Sequence, residues 1–150
     1  MLGKILLTLD AVGLLLGAPL ADYNHTHIFN PRWPPHAKFH NGQTISLSVI
    51  LGIATLYYTW RSSFLPSSTP PMLARQRERD SLRTAAFTGS IYWLAGLTAI
   101  LYPGTAGTDP EFGTGFPQGP GFTMFAVLAI LGCFLETRNG VGDVSKTRSN

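Results

Sequence analysis

Residues 41–60 read NGQTISLSVILGIATLYYTW and carry no charged side chain. A helix of about 20 mostly apolar residues is long enough to cross the hydrocarbon core of a bilayer. Three more segments of mostly apolar residues lie elsewhere in the chain, at residues 5–21, 84–102 and 121–136. Only 13% of the 150 residues are charged, against about 25% in soluble domains. We therefore expect most of the surface to face lipid.

The expected fold is all-α, a four-helix transmembrane bundle with a His-rich loop between helices 1 and 2. Pro34 and Pro35 favour a helix start, since first-turn N–H groups have no intrahelical partner anyway, and this extends helix 2 to residues 35–60. The bundle forms a single transmembrane domain, residues 1–138. A polar tail, expected to be disordered, occupies residues 139–150.

The first apolar segment also resembles a secretory signal peptide, which would be removed. Asp10 interrupts the apolar region, and Pro19 occupies the position at which a cut after Ala21 requires a small residue. Both features favour a retained helix. Because a carboxylate within a membrane span is costly without a partner, we expect Asp10 to pair with Arg61 or Arg83.

Charge and cysteine content exclude several functional classes. The net charge of +3 does not indicate nucleic-acid binding, since the basic residues lie at helix ends, where membrane topology explains them. The single cysteine, Cys133, excludes an intrachain disulfide, a redox pair and a cysteine zinc cluster. We expect no cofactor and no nucleic-acid partner, and the bilayer itself as the main partner.

The basic residues also predict orientation. With four crossings, nine Lys and Arg residues lie on the side of the termini and two on the other side. Positive charge is retained on the cytoplasmic side, so both termini of this multi-pass protein should be cytoplasmic, and the endoplasmic reticulum is a candidate membrane. Aromatic residues near helix ends are expected to be interface or packing residues: Tyr57, Tyr58, Trp60, Tyr92, Trp93 and Tyr102.

All four histidines fall within residues 22–40, at the non-cytoplasmic mouth of the expected bundle. His36 and His40 are four residues apart, so they share one face of helix 2 with Gln43. Polar residues entering a membrane span are expected to face the bundle interior. The sequence therefore predicts an inward polar stripe near the acids of the same membrane side.

Three interpretations of this segment stay open. In the first, histidine and carboxylate perform acid–base chemistry, with the catalytic candidates His36, His40, Asp22 and Glu111, and the substrate-binding candidates Asn24, His25, His27, Trp33 and Gln43. In the second, the imidazoles ligate a metal ion. In the third, the segment only shapes the membrane interface.

The block NHTHIFNPRWPPHAKFHN, residues 24–41, resembles the DUF6640-type small four-helix membrane proteins of fungi and bacteria. The resemblance implies a membrane protein, in fungi one of specialised metabolism, and transfers no catalytic assignment. We expect a membrane-embedded enzyme or binding protein for a small lipophilic substrate, with isomerisation or cyclisation as the reaction. The alternatives are a non-enzymatic scaffold or transport accessory protein, and a His-ligated metal site.

Overall fold

Four α-helices build the structure, a computed structural model that describes residues 1–146, with side chains described up to residue 138. They are α1 (Leu2–Asp22), α2 (Pro35–Trp60), α3 (Pro71–Ala99) and α4 (Gly119–Lys146), and a short 3-10 helix covers Arg61–Phe64. Helices α1 and α3 each pack against both α2 and α4, so the four surround a common interior. The all-helical class and the four helices predicted from the sequence are confirmed.

The largest differences from the expected helix bounds are at the start of α3 and at the end of α4. α2 begins at Pro35, as the Pro-Pro pair predicts, but α3 begins at Pro71 rather than at residue 84. Hydropathy marks only the apolar part of a helix, and α3 starts with a charged part whose Glu78 pairs with Lys4 at 2.6 Å. α4 continues to Lys146. The expected tail, residues 139–150, is therefore helical as far as residue 146, and 147–150 lie outside the described residues.

The interior between the helices is built from small and polar side chains. Its buried hydrophobic residues are mostly Ala and Leu, and its buried polar residues include several Ser and Thr. The Ser48 hydroxyl donates to the Leu14 carbonyl at 2.5 Å, and the Thr55 and Thr88 hydroxyls share a hydrogen bond of 2.9 Å. Small residues and hydroxyl hydrogen bonds are the usual contacts between helices packed in lipid.

Two of the described helical segments, Leu2–Asp22 and Gly119–Arg138, are long and apolar enough to cross a membrane. This supports membrane association. α2 and α3 do not reach the same apolar content, because they contribute most of the buried Ser and Thr and because α3 carries its charged N-terminal part.

The loops α1–α2 and α3–α4 lie together at one end of the bundle. The Trp33 indole N–H donates to Oδ2 of Asp109 at 3.1 Å, and Arg32 forms an ion pair with Glu111. These contacts hold the His-rich segment against the Gly-rich loop between α3 and α4, and the two loops frame the site described next.

Candidate functional site

A pocket of about 850 Å³ lies among the helices at the loop-covered end. Its lining combines small residues of α1 and α3 with a group of aromatic rings. The small residues are Gly17, Ala18, Ala21, Ala95, Gly96 and Ala99, and the rings are Tyr92, Trp93, Phe116, Phe122 and Phe125. Pockets for small molecules are typically apolar and aromatic, with a few polar groups that fix orientation.

The aromatic wall is centred on Trp93, whose ring stacks on Phe125 with centroids 4.7 Å apart. The Trp93 indole N–H donates to Oδ1 of the fully buried Asp10 at 2.8 Å. The expected pairing of Asp10 with arginine is therefore wrong: Arg61 donates to Ser81 at 2.6 Å, and Arg83 lies 3.8 Å from Asp80. The partner comes from the facing helix α3 rather than from a helix end.

The polar end of the pocket is formed by Asp22 and His27, which both line it. Asp22 is the last residue of α1, and His27 follows in the turn-rich α1–α2 loop. The His27 Nε2 atom lies 3.8 Å from Oδ1 of Asp22. The other carboxylate oxygen accepts a 3.1 Å hydrogen bond from the side-chain amide of Asn41, on α2. Three polar groups from three successive segments thus meet at one point.

Neighbouring hydrogen bonds fix the ring orientation of His27. The Asn24 amide donates to the Ala21 carbonyl at 2.5 Å, which leaves its Oδ1 to accept from the Thr26 hydroxyl at 2.6 Å. Because the Thr26 proton is used in that bond, the 2.7 Å contact between Thr26 Oγ1 and His27 Nδ1 requires Nδ1 to donate. The Nε2 atom is therefore the one that can exchange a proton next to Asp22.

Two amide oxygens at this end of the bundle accept no hydrogen bond within the part of the chain that the structure describes. The Gln118 amide donates to the Gly107 carbonyl at 2.6 Å, and the Asn41 amide donates to Asp22. Since a carbonyl or carboxylate oxygen only accepts, both amides are oriented with their nitrogen toward the protein. Among the described residues, Gln118 Oε1 and Asn41 Oδ1 are buried without a hydrogen-bond partner. Such orphaned acceptors are uncommon in native structures and require an explanation.

The histidine pair of α2 does not line this pocket. His36, His40 and Gln43 are all exposed, and none of them lines the pocket. The predicted inward face of α2 reaches the pocket further along the helix, at Thr44 and Leu47, but not at these three candidates. The two imidazoles contact one another through Nε2 atoms 3.0 Å apart, and His40 Nδ1 lies 3.3 Å from Oε1 of Gln43. Asp22 instead contacts His27, in the loop, and Asn41, on α2. Asn41 faces a different direction from His40 because consecutive residues lie about 100° apart around a helix.

The remaining candidates hold the loops. Glu111 pairs with Arg32, so the described contacts do not support it as the orienting acid of His36 and His40. The exposed His25 ring lies edge-on to Phe112, with centroids 6.1 Å apart. Trp33 binds Asp109 and packs edge-on against the His27 ring at 5.1 Å. Asn24 shapes the turn that positions His27. Of the nine candidate residues, Asp22 and His27 line the pocket.

Several residues of the pocket, and Asn41, which binds Asp22 at its polar end, are not among the candidates from the sequence. Asn41 directly follows His40, and its position at the polar start of α2 is the signal that could have indicated it. Tyr92 and Trp93 were expected only as interface or packing residues, yet both line the pocket. Gln118 precedes the Gly-Pro start of α4, and nothing in the sequence distinguishes it from an ordinary loop residue.

Comparison with curated proteins and comparison with solved structures each gave no match. A comparison with family models does give one, and it agrees with the resemblance carried by residues 24–41. The model of the family of unknown function DUF6640 matches residues 6–146, nearly the whole chain, and the chain belongs to that family.

Proposed function

We propose that the protein is a multi-pass membrane protein that binds a small lipophilic metabolite in the pocket and transfers a proton on it through His27 and Asp22. The observation that carries this proposal is the composition of the pocket: an apolar, aromatic-walled space of about 850 Å³ with a carboxylate and an imidazole at one end. A lipophilic body fits such walls, and the charged end orients a polar group.

Support for a four-span bundle comes from the outward faces of the two more polar helices. Large apolar side chains that do not line the pocket are exposed along α2, at Ile50, Ile53 and Tyr57, and along α3, at Phe87 and Leu94. Soluble proteins rarely expose contiguous apolar surface of that extent. Helices with apolar outward faces and polar contacts between them suit lipid as the solvent. With four crossings, the basic residues favour cytoplasmic termini, and we retain the endoplasmic reticulum as the membrane.

The polar end of the pocket also favours a class of ligand. Gln118 Oε1, which has no hydrogen-bond partner among the described residues, lines the pocket, and Asp22 supplies carboxylate oxygens. A ligand that satisfies them must bring hydrogen-bond donors, such as alcohol or phenol hydroxyl groups. Leaving buried acceptors unpaired costs about 1–3 kcal/mol each, so such a hydroxyl would be selected over a ketone or ether at the same position. We therefore propose a lipophilic alcohol or phenol.

Proton transfer is the chemistry that these groups suit. The Nδ1 atom of His27 is held by Thr26, and Nε2 is the free position beside Asp22. In that arrangement His27 would accept a proton from the ligand, and the Asp22 carboxylate would stabilise the resulting imidazolium. Returning the proton to another ligand atom gives an isomerisation or a cyclisation. A role in specialised metabolism, which the resemblance implies for fungal members, is part of this proposal.

The alternative is a protein that binds the same ligand without chemistry, as a carrier or transport accessory. An enzyme and a carrier differ in their need for His27. The enzyme requires it for the chemical step, whereas in a carrier it contributes only one contact to binding. A scaffold without a ligand is the remaining possibility, in which the space is filled by lipid chains.

Ligand extraction tests the binding part of the proposal. The full chain would be expressed in its native host, purified in lipid nanodiscs and extracted with organic solvent, and the extract analysed by mass spectrometry. We expect one non-lipid hydroxylated molecule at close to one per chain. Ala21→Phe, which fills the pocket from an exposed wall position, should lose it. Leu20→Phe is the matched control, because Leu20 is exposed but does not line the pocket. Bilayer lipids alone, in equal amounts for all three proteins, would contradict the proposal.

A further inference from the structure

The histidine pair on the first turns of α2 is not used by the pocket and carries an inference of its own. We propose that His36 and His40 together bind a divalent transition-metal ion of the Zn²⁺ or Cu²⁺ class. This proposal rests on the geometry of the pair and is independent of the ligand and chemistry proposed for the pocket.

The two rings already converge on one point. They lie at positions i and i+4, edge to face with centroids 4.5 Å apart, and their Nε2 atoms are separated by 3.0 Å. Two imidazole nitrogens on tetrahedral zinc, with bonds of about 2.0–2.1 Å, stand about 3.3 Å apart. An opening of about 0.3 Å is thus enough to admit the ion. Both side chains are exposed, so small rotamer changes supply this opening without moving the backbone.

Gln43 holds His40, one of the two proposed metal ligands, in the tautomer that can bind a metal ion. Its Oε1 atom lies 3.3 Å from Nδ1 of His40, and an amide oxygen only accepts, so Nδ1 carries the hydrogen and Nε2 presents its lone pair. The 3.0 Å contact then requires His36 Nε2 to donate. When a metal ion binds, the hydrogen on His36 Nε2 passes to solvent, and His36 Nδ1 takes up a proton from solvent. A hydrogen bond to the second ring nitrogen is the usual way to fix and strengthen a histidine ligand.

The site would lie at the mouth of the pocket. Thr44 and Leu47 follow His40 at i+4 and i+7 on the same side of α2, and both line the pocket. No group of three His, Cys, Asp or Glu side chains able to hold a metal occurs in the described part of the chain. The pair therefore offers two protein ligands, one fewer than catalytic zinc sites usually have, and the other coordination positions stay open to water or to an oxygen of another molecule.

Zinc titration of the full chain tests this proposal. The protein, purified through a tag without histidine and reconstituted in lipid nanodiscs, would be titrated with ZnCl₂, and separately with CuCl₂, by isothermal calorimetry. We expect one ion per chain for the wild type. His36→Gln and His40→Gln should each weaken binding at least about tenfold, and Gln43→Leu should weaken it about tenfold through loss of the supporting hydrogen bond.

His25→Gln is the matched control, because His25 is an exposed histidine at the same end of the bundle that contacts Phe112 rather than another histidine. Its metal affinity should equal that of the wild type. Wild-type binding no tighter than that of His40→Gln, or an equal loss in His25→Gln, would overturn the proposal. Since none of these variants changes a pocket residue, ligand extraction of the same proteins should give the wild-type result whatever the titration shows.

Discussion

The indole N–H of Trp93 donates a 2.8 Å hydrogen bond to Oδ1 of Asp10, so a wall residue of the pocket is held by a carboxyl group buried in α1. The second oxygen, Oδ2, is buried without a partner among the described residues. One hydrogen bond therefore orients the Trp93 indole, and it goes to a carboxyl group that has no other side-chain partner in the described part of the chain.

Replacing this indole should be costly. In Trp93→Phe the Asp10 carboxyl group loses its only described side-chain hydrogen bond, and an unsatisfied buried polar group costs about 1–3 kcal/mol, more for a charged group. We expect unfolding in detergent micelles to show a stability loss of at least that size. Trp60→Phe is the control, since the Trp60 indole donates to the neutral hydroxyl of Thr8 at 3.0 Å. Equal losses in the two variants would contradict a special role for the Asp10 contact.

The close approach of α3 to Asp10 gives a second prediction. A Cβ atom on Gly89 would stand 2.3 Å from Oδ2 of Asp10 and 3.2 Å from the Cβ of Ala129. Overpacking of this kind typically costs about 1–3 kcal/mol, so Gly89→Ala should lower the free energy of unfolding. Gly42→Ala should raise it by about 0.5–1 kcal/mol, because Gly42 lies within α2 with open space around it. Equal stability of the two variants would show that α1 and α3 are not packed this closely.

Cysteine labelling separates a four-span topology from a two-span one. Cys133 is the single cysteine, so Cys133→Ala gives a background for Ser67→Cys, in the α2–α3 loop, and Thr114→Cys, in the α3–α4 loop. A membrane-impermeant maleimide applied to sealed vesicles of known orientation should reach the two loops from opposite sides. If only α1 and α4 crossed the bilayer, both loops would lie on one side and react from that side together.

The helices were largely predictable because apolar length and Pro-Pro starts depend on local sequence. α2 begins at Pro35 as expected, whereas the start of α3 at Pro71 was missed, since hydropathy measures contact with lipid and not helical conformation. The Asp10 partner was missed for another reason. Which residues of α1 and α3 face one another depends on the rotation of each helix, which the sequence does not state, and Trp93 looks like an interface residue until α3 is placed.

The site was predictable only in outline. The sequence points to the end of the bundle at which the pocket lies, and its candidates include Asp22 and His27, which line that pocket. It gives priority to the helical pair His36 and His40, because spacing along a helix can be calculated and loop conformation cannot. His27 reaches the pocket through the turn held by Asn24 and Thr26, an irregular conformation with no periodic pattern to reveal it.

Metabolite profiling of a deletion strain tests whether His27 transfers a proton on a lipophilic ligand. The strain would be complemented with wild-type, His27→Gln or His25→Gln protein at equal membrane levels. Removing a general acid or base lowers the rate by about 10²–10⁴-fold. We expect the wild type and His25→Gln to restore the missing product, and His27→Gln to leave the precursor accumulated with the product reduced by that range. Product restored by His27→Gln to the wild-type level would contradict this role of His27.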